Sequence, residues 1–197
     1  DKYNQYRTFS HAYSVFNNSE FAAAGAPSAD ELKLLEPFRA ELPPRVFGPP
    51  FVPPDNLTGP NALREHLRQA RDMLTQAGWK VAADGKLRNA KGEAFEFEFM
   101  ASNQPGTLID YQRNLEKLGI SMKERMVDFA LFRRRIEQYD FDLMIIVEGD
   151  FTVPSASDLA SSYGSKSADE PGNSNFRGVK SQAVDSLIER IGSATTV

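Results

Sequence analysis

The sequence predicts an α/β protein with a mixed sheet built around a β-α-β-α-β segment, and three features carry that prediction. Phe95-Glu96-Phe97-Glu98-Phe99 alternates apolar and charged residues with the period of a strand. Two stretches of helical periodicity follow, at about 107–118 and 129–139, and they alternate with strand-like runs at 120–126 and 141–147. The links between these pieces are short, which implies right-handed crossovers and helices packed on the sheet.

Taken in order, residues 1–22 mix Tyr3, Tyr6, Phe9, Tyr13, Phe16 and Phe21 with polar residues without a helical period, and they read as extended. Ser28 followed by Glu31 is a capping box that starts a helix through Leu32, Leu35 and Phe38, stopped before Pro43-Pro44. Between Pro43 and Pro54 lie prolines that neither donate to a ladder nor fit inside a helix, predicting an extended, stiff surface segment. Residues 1–59 are therefore expected to form an approach segment with one short helix, and residues 60–197 an α/β lobe.

Pro60 suits a helix's first turn, and Leu63, Leu67, Ala70, Leu74 and Ala77 recur at helical steps while Arg64, Glu65, Arg68 and Asp72 take the wet side. Gly78 ends that helix, and Asp84-Gly85 and Lys91-Gly92 are tight-turn pairs. Phe95, Phe97 and Phe99 then put one aromatic face into the core. Ile120, Met122, Glu124 and Met126 alternate with Ser121, Lys123 and Arg125 as a half-exposed strand. Asp128 caps a helix with Phe129, Phe132, Ile136 and Tyr139 on one face and Arg133-Arg134-Arg135 on the solvent side. The run 141–147, apolar apart from Asp142, reads as a strand covered on both sides in the middle of the sheet. Residues 163–178 turn to Ser, Gly, Asn, Asp and Lys, the chemistry of a mobile loop. Val184, Leu187, Ile188 and Ile191 mark a last amphipathic helix.

Composition bounds the function. The chain has 197 residues, 41% of them hydrophobic, a net charge of -4 and no cysteine. That fits one globular domain, and it argues against nucleic acid as a partner. No run approaches the roughly 20 apolar residues of a membrane span. Only His11 and His66 are available, no Gly-x-Ser-x-Gly elbow occurs, and neither metal-ligand spacings nor phosphate-binding glycine patterns are present. No catalytic residue, cofactor or metal site is expected. Asp140 and Asp142 flank a strand start and read as solvated. Glu148-Gly149-Asp150 stands apart, because it follows the apolar run at the carboxyl end of a strand, where ligands of open α/β sheets are held. A carboxylate there can hold a ligand ammonium through a charge-assisted hydrogen bond, although an exposed loop is the simpler reading.

Asn114-Leu115-Glu116-Lys117-Leu118-Gly119-Ile120 and Tyr139-Asp140-Phe141-Asp142-Leu143-Met144, within this order of elements, resemble the extracellular solute-binding proteins of family 5 that deliver oligopeptides to ABC importers. Asn18-Ser19-Glu20-Phe21-Ala22 and Leu42-Pro43-Pro44-Arg45-Val46-Phe47-Gly48-Pro49 look like the subgroup that includes the microcin C importer's binding protein. The resemblance implies the carboxyl-terminal lobe of a two-lobed periplasmic binding protein, with the amino-terminal lobe and export signal outside the chain. It implies a periplasmic or lipid-anchored extracellular monomer that does not span the membrane, with an oligopeptide or peptide-like ligand and the importer's permease subunits as partners. In that family a Trp-x-x-Asp-x-x-x-Pro pattern follows the strand, and its Asp binds the peptide's ammonium. Asp150, four residues before Pro154, matches the Asp, whereas Val147 stands where the Trp would be. The resemblance thus names Asp150, Glu148, Val147 and Asn175, the last through an Asn-aromatic stretch at Asn175-Phe176, as ligand-binding residues. The rival readings are a carboxylate-dependent hydrolase using Glu148 and Asp150, and an interaction module built on the proline-rich segment.

Overall fold

The computed structural model describes residues 14–16, 19–52, 61–103, 108–147 and 155–194. They form α1 (Ala29–Leu35), α2 (Ala62–Gln76), β1 (Lys80–Val81), β2 (Leu87–Arg88), β3 (Glu96–Ala101), α3 (Ile109–Glu116), β4 (Ser121–Met126), α4 (Phe129–Glu137), β5 (Leu143–Met144), α5 (Ala156–Tyr163) and α6 (Gln182–Ser193). The chain divides into two compact units, Pro54–Ile146 and the combination of Asp1–Pro53 with Val147–Val197.

In the Pro54–Ile146 unit a parallel sheet runs in the order β4-β3-β5, and β1 and β2 form a separate antiparallel pair. The expected β-α-β-α-β segment is there, with its three strands parallel, and antiparallel pairing occurs in β1–β2 and in the Arg88–Ala94 bridge that follows. The chain steps sideways from β3 to β4 and then back across β3 to β5, so right-handed crossovers place α3 and α4 on opposite faces. Burial follows from this. Phe99 and Ala101 share a core with Leu115, Leu118, Ile120, Met122 and Leu87, against which Leu67, Ala70 and Leu74 of α2 also pack. Met100, pointing to the other face by alternation, is equally buried, as is Ile136 of α4.

The middle strand is therefore β3, not the 141–147 run, which pairs over only two residues at one side of the order. Two charged residues hid this from the sequence. Glu96 pairs with Lys86 and Lys123, and Glu98 with Arg125 and Arg135, so both carboxylates are neutralised from the neighbouring elements. The Arg135 side chain is only 13% exposed and bridges Glu98 to Asp140 at 3.1 and 2.9 Å, which removes it from the expected solvent face of α4. Asp142, expected to be merely solvated, accepts the backbone N–H of Glu98 at 2.9 Å and extends the β3–β5 pairing with a side chain. Phe129, placed on the inner face of α4 by its spacing, is exposed.

Lys123 first and Lys86 second hold the Glu96 carboxyl below its ordinary value of 4.5. Glu65 and Glu31 move the same way, under Arg68 and the Ser28 backbone respectively. A folded-state value below the unfolded one means stability that is present above about pH 4.5 and lost as pH falls through the folded values. Thermal melts are expected to hold steady from neutrality to that point and to fall below it. Lys123→Met should flatten the fall, and an acid limb unchanged in this variant would remove Glu96 from the account.

In the other unit the Ser28 capping box is complete, with Glu31 N–H donating to Ser28 Oγ and Ser28 N–H to the Glu31 carboxylate. The helix tightens to a 3-10 turn over Glu36–Phe38, where Pro37 has no N–H to continue the α pattern. Pro44–Phe47 forms a second 3-10 turn, in place of the extended segment expected there, because Pro44 at the first position is preset for a helical φ. Residues 14–16 and 19–21 form turns, whereas the stretch was expected to be extended; the remainder of 1–18 lies outside the described residues. Helix α5, capped by Ser155 on Asp158 N–H, was not foreseen. The 163–178 segment is held by internal bonds, and it buries Ser167 and Asn175 where a mobile loop was expected.

Candidate functional site

Because β3, β4 and β5 are parallel, their carboxyl ends share one edge, from which the chain continues through Ser102-Asn103, Val127-Asp128 and Ile145-Ile146-Val147. The diverging crossovers make the boundary between β3 and β5 the topological switch point, the place where open α/β sheets receive ligands. Asp128 lies on this edge but is committed, its carboxylate accepting Leu131 N–H at 2.9 Å to cap α4. The continuation of β5 is open: Ile145 is 45% and Val147 92% exposed. Two apolar side chains at a strand's carboxyl end, left to solvent, fit a surface that something else covers.

Of the four residues singled out from sequence, Val147 is at this edge. Glu148 and Asp150 follow it directly and lie outside the described residues. Asn175 is 0% exposed. Its Nδ2 donates to the carbonyls of Gly164 and Val179 at 3.0 and 2.9 Å, and its Oδ1 accepts Val179 N–H at 3.0 Å. Nearby, Ser165 N–H donates to Asp185 of α6 at 2.8 Å, and Ser181 N–H to Ser165 Oγ. Asn175 thus ties the segment after α5 to the approach to α6, and the amide that the resemblance gave to a ligand is engaged with backbone. The signal for this was present in the sequence, since an Asn within a Gly- and Ser-rich stretch commonly bonds nearby main chain.

Other chemistry is sparse. Among the described residues no group of His, Asp and Glu is placed to hold a metal, and no helix is long and apolar enough to cross a membrane. His66 is half-buried on α2, beside its apolar stripe, and His11 lies outside the described residues. Asp140 and Asp142 are both occupied structurally, by Arg135 and by the backbone of β3.

The parallel sheet with helices on both faces matches part of known periplasmic binding proteins. AppA of Bacillus subtilis, an oligopeptide-binding protein solved with a nonapeptide, superposes with a TM-score of 0.50 and 25% identity, covering 66% of this chain and 26% of that one. No protein-family model matches. Sequence relatives do: "Probable peptide-binding protein YejA" of Agrobacterium fabrum is 31% identical over 94% of the chain, and YejA of Escherichia coli is 34% identical, also over 94%. The "Peptidoglycan-binding protein YepA" of Agrobacterium fabrum is 30% identical over 93%. Over nearly its whole length the chain is homologous to one segment of these YejA-type binding proteins. It spans about 30% of the length of the curated relatives it matches.

Proposed function

We propose that this chain is part of the ligand-binding lobe of a solute-binding protein that captures oligopeptides or peptide-like solutes for an ABC importer. The observation that carries the reading is the exposed carboxyl edge after β5 at the switch point, with Val147 in solvent; Glu148-Gly149-Asp150 are the next residues in sequence. Asp150 pairs with the ligand's α-ammonium, Glu148 adds negative potential beside it, and Val147 gives the first peptide residue an apolar contact where related proteins have Trp. Asn175 fixes the segment between α5 and α6 within its own unit. The name of the Agrobacterium fabrum relative, "Probable peptide-binding protein YejA", and the nonapeptide solved with AppA support the ligand class.

A protein of this kind closes two lobes on its ligand and presents it to permease subunits. It works as a periplasmic or lipid-anchored monomer and carries out no chemical step. The cleft needs two walls, so titration calorimetry with mixed oligopeptides should show binding by a two-lobed protein carrying this segment and weak or no binding by the present chain. Submicromolar binding by the present chain alone would overturn the two-wall reading.

A further inference from the structure

Beside α2 lies a depression of about 840 Å3 whose described lining includes Leu63, Leu67, Arg64, Arg71 and Lys117. Glu65 is the one carboxylate among these lining residues, and it is already bonded to Arg68 at 2.6 Å; the other branch of Arg68 holds Asp72 at 2.9 Å. Among the described residues Arg64, Arg71 and Lys117 form no ion pair. Arg71 donates to the Lys117 carbonyl at 3.2 Å, and Lys117 to Asn114 Oδ1 at 3.0 Å. All three are exposed, and Leu63 between them is 46% exposed, whereas Leu67, Ala70 and Leu74 of the same helix pack against the core and Met73 is exposed outside the depression.

The arrangement runs against the rest of the molecule. The chain is acidic overall, and on the sheet Lys86, Lys123, Arg125 and Arg135 are each matched to a carboxylate. Here three cations with no ion-pair partner among the described residues line the same depression as two leucines. A solvated helix face needs no concavity and no exposed apolar floor, whereas an apolar anchor ringed by arginines is the usual composition of a protein-binding patch.

We propose that this groove is a docking surface for an acidic segment of another protein, which seats an apolar side chain on Leu63 and Leu67 and sets its carboxylates against Arg64, Arg71 and Lys117. Charge complementarity selects the partner, and the leucines give the contact its register. The surface is separate from the carboxyl edge of the sheet and does not depend on the peptide-binding reading.

The test is fluorescence anisotropy of a labelled peptide with leucines at helical spacing and glutamates between them, titrated with the whole chain at low and at raised salt. Binding at low salt is expected to weaken by about tenfold as screening increases. The triple variant Arg64→Glu, Arg71→Glu, Lys117→Glu should lose at least about tenfold in affinity, and Leu63→Ser should weaken binding with the salt slope kept. Arg134→Glu with Arg190→Glu, cations elsewhere on the chain, should bind as the parent does, and circular dichroism melts confirm that each variant folds. No binding by the parent, or an equal loss in the control variant, overturns the proposal. Vesicles of anionic phospholipid form the second arm, and if the parent binds these and not the peptide, the groove is a membrane contact and the protein partner is excluded.

Discussion

Phe99→Ala is expected to lower the unfolding free energy by about 3 to 5 kcal/mol, the cost of truncating a large side chain in a packed core that relaxes only partly. Phe99 is 2% exposed on the strand with neighbours on both sides, and its ring meets a core drawn from α3, β4 and the β1–β2 hairpin. Phe97 shares the same face but is half-buried, nearer the end of the strand, so Phe97→Ala should cost less. Urea denaturation of the two variants measures the order as well as the size. A loss below about 1 kcal/mol at Phe99, or a larger loss at Phe97, would mean that the register of β3 is wrong.

Gly119→Ala should be almost as damaging, by about 3 kcal/mol or more, although it adds one methyl group. Gly119 has φ +80°, and a Cβ there would sit 2.7 Å from the Gly85 carbonyl oxygen and 2.8 Å from Leu87 N, both backbone atoms with no rotamer to yield. The closeness has a function, since Leu87 N–H donates to the Gly119 carbonyl and ties the hairpin to the turn between α3 and β4. Gly92 supplies the control. Its φ is +83° but the space around it is open, so Gly92→Ala carries only the strain of a left-handed residue, about 1 to 2 kcal/mol. Equal losses at both positions would show that strain, and not the hairpin contact, sets the cost.

Much of the architecture was legible because local chemistry and tertiary packing agree. The Ser28–Glu31 box, the Asp128 cap, the glycines at 78, 85 and 92, and the apolar spacing of α2 each fix backbone through interactions within a few residues. The centre of the sheet was not legible. Phe141 to Val147 looks like a buried strand by composition, whereas Glu96 and Glu98 make β3 look half-solvated, and only the partners Lys86, Lys123, Arg125 and Arg135, distant in sequence, reverse that order. Arg135 was misread for the same reason. The 163–178 stretch has a loop's composition, yet Asn175 and Asp185 satisfy its backbone, something that depends on long-range geometry. At the candidate site, sequence pattern pointed to the edge after β5, and the structure leaves that edge open at Val147. Asn175 was assigned to a ligand through the resemblance of Asn175-Phe176 to an Asn-aromatic stretch; its amide bonds the main chain of Gly164 and Val179.

The most direct test of the functional account is a double-mutant cycle on Asp150 in a two-lobed protein that carries this segment. Calorimetry would compare the parent and Asp150→Asn against one peptide with a free amino terminus and against its N-acetylated form. If Asp150 holds the ligand's ammonium, the substitution should weaken binding of the free peptide by about 1.5 to 3 kcal/mol and that of the acetylated peptide far less, the difference being the coupling energy. Equal losses for the two peptides, a coupling near zero, would contradict the account and leave Asp150 an ordinary loop carboxylate.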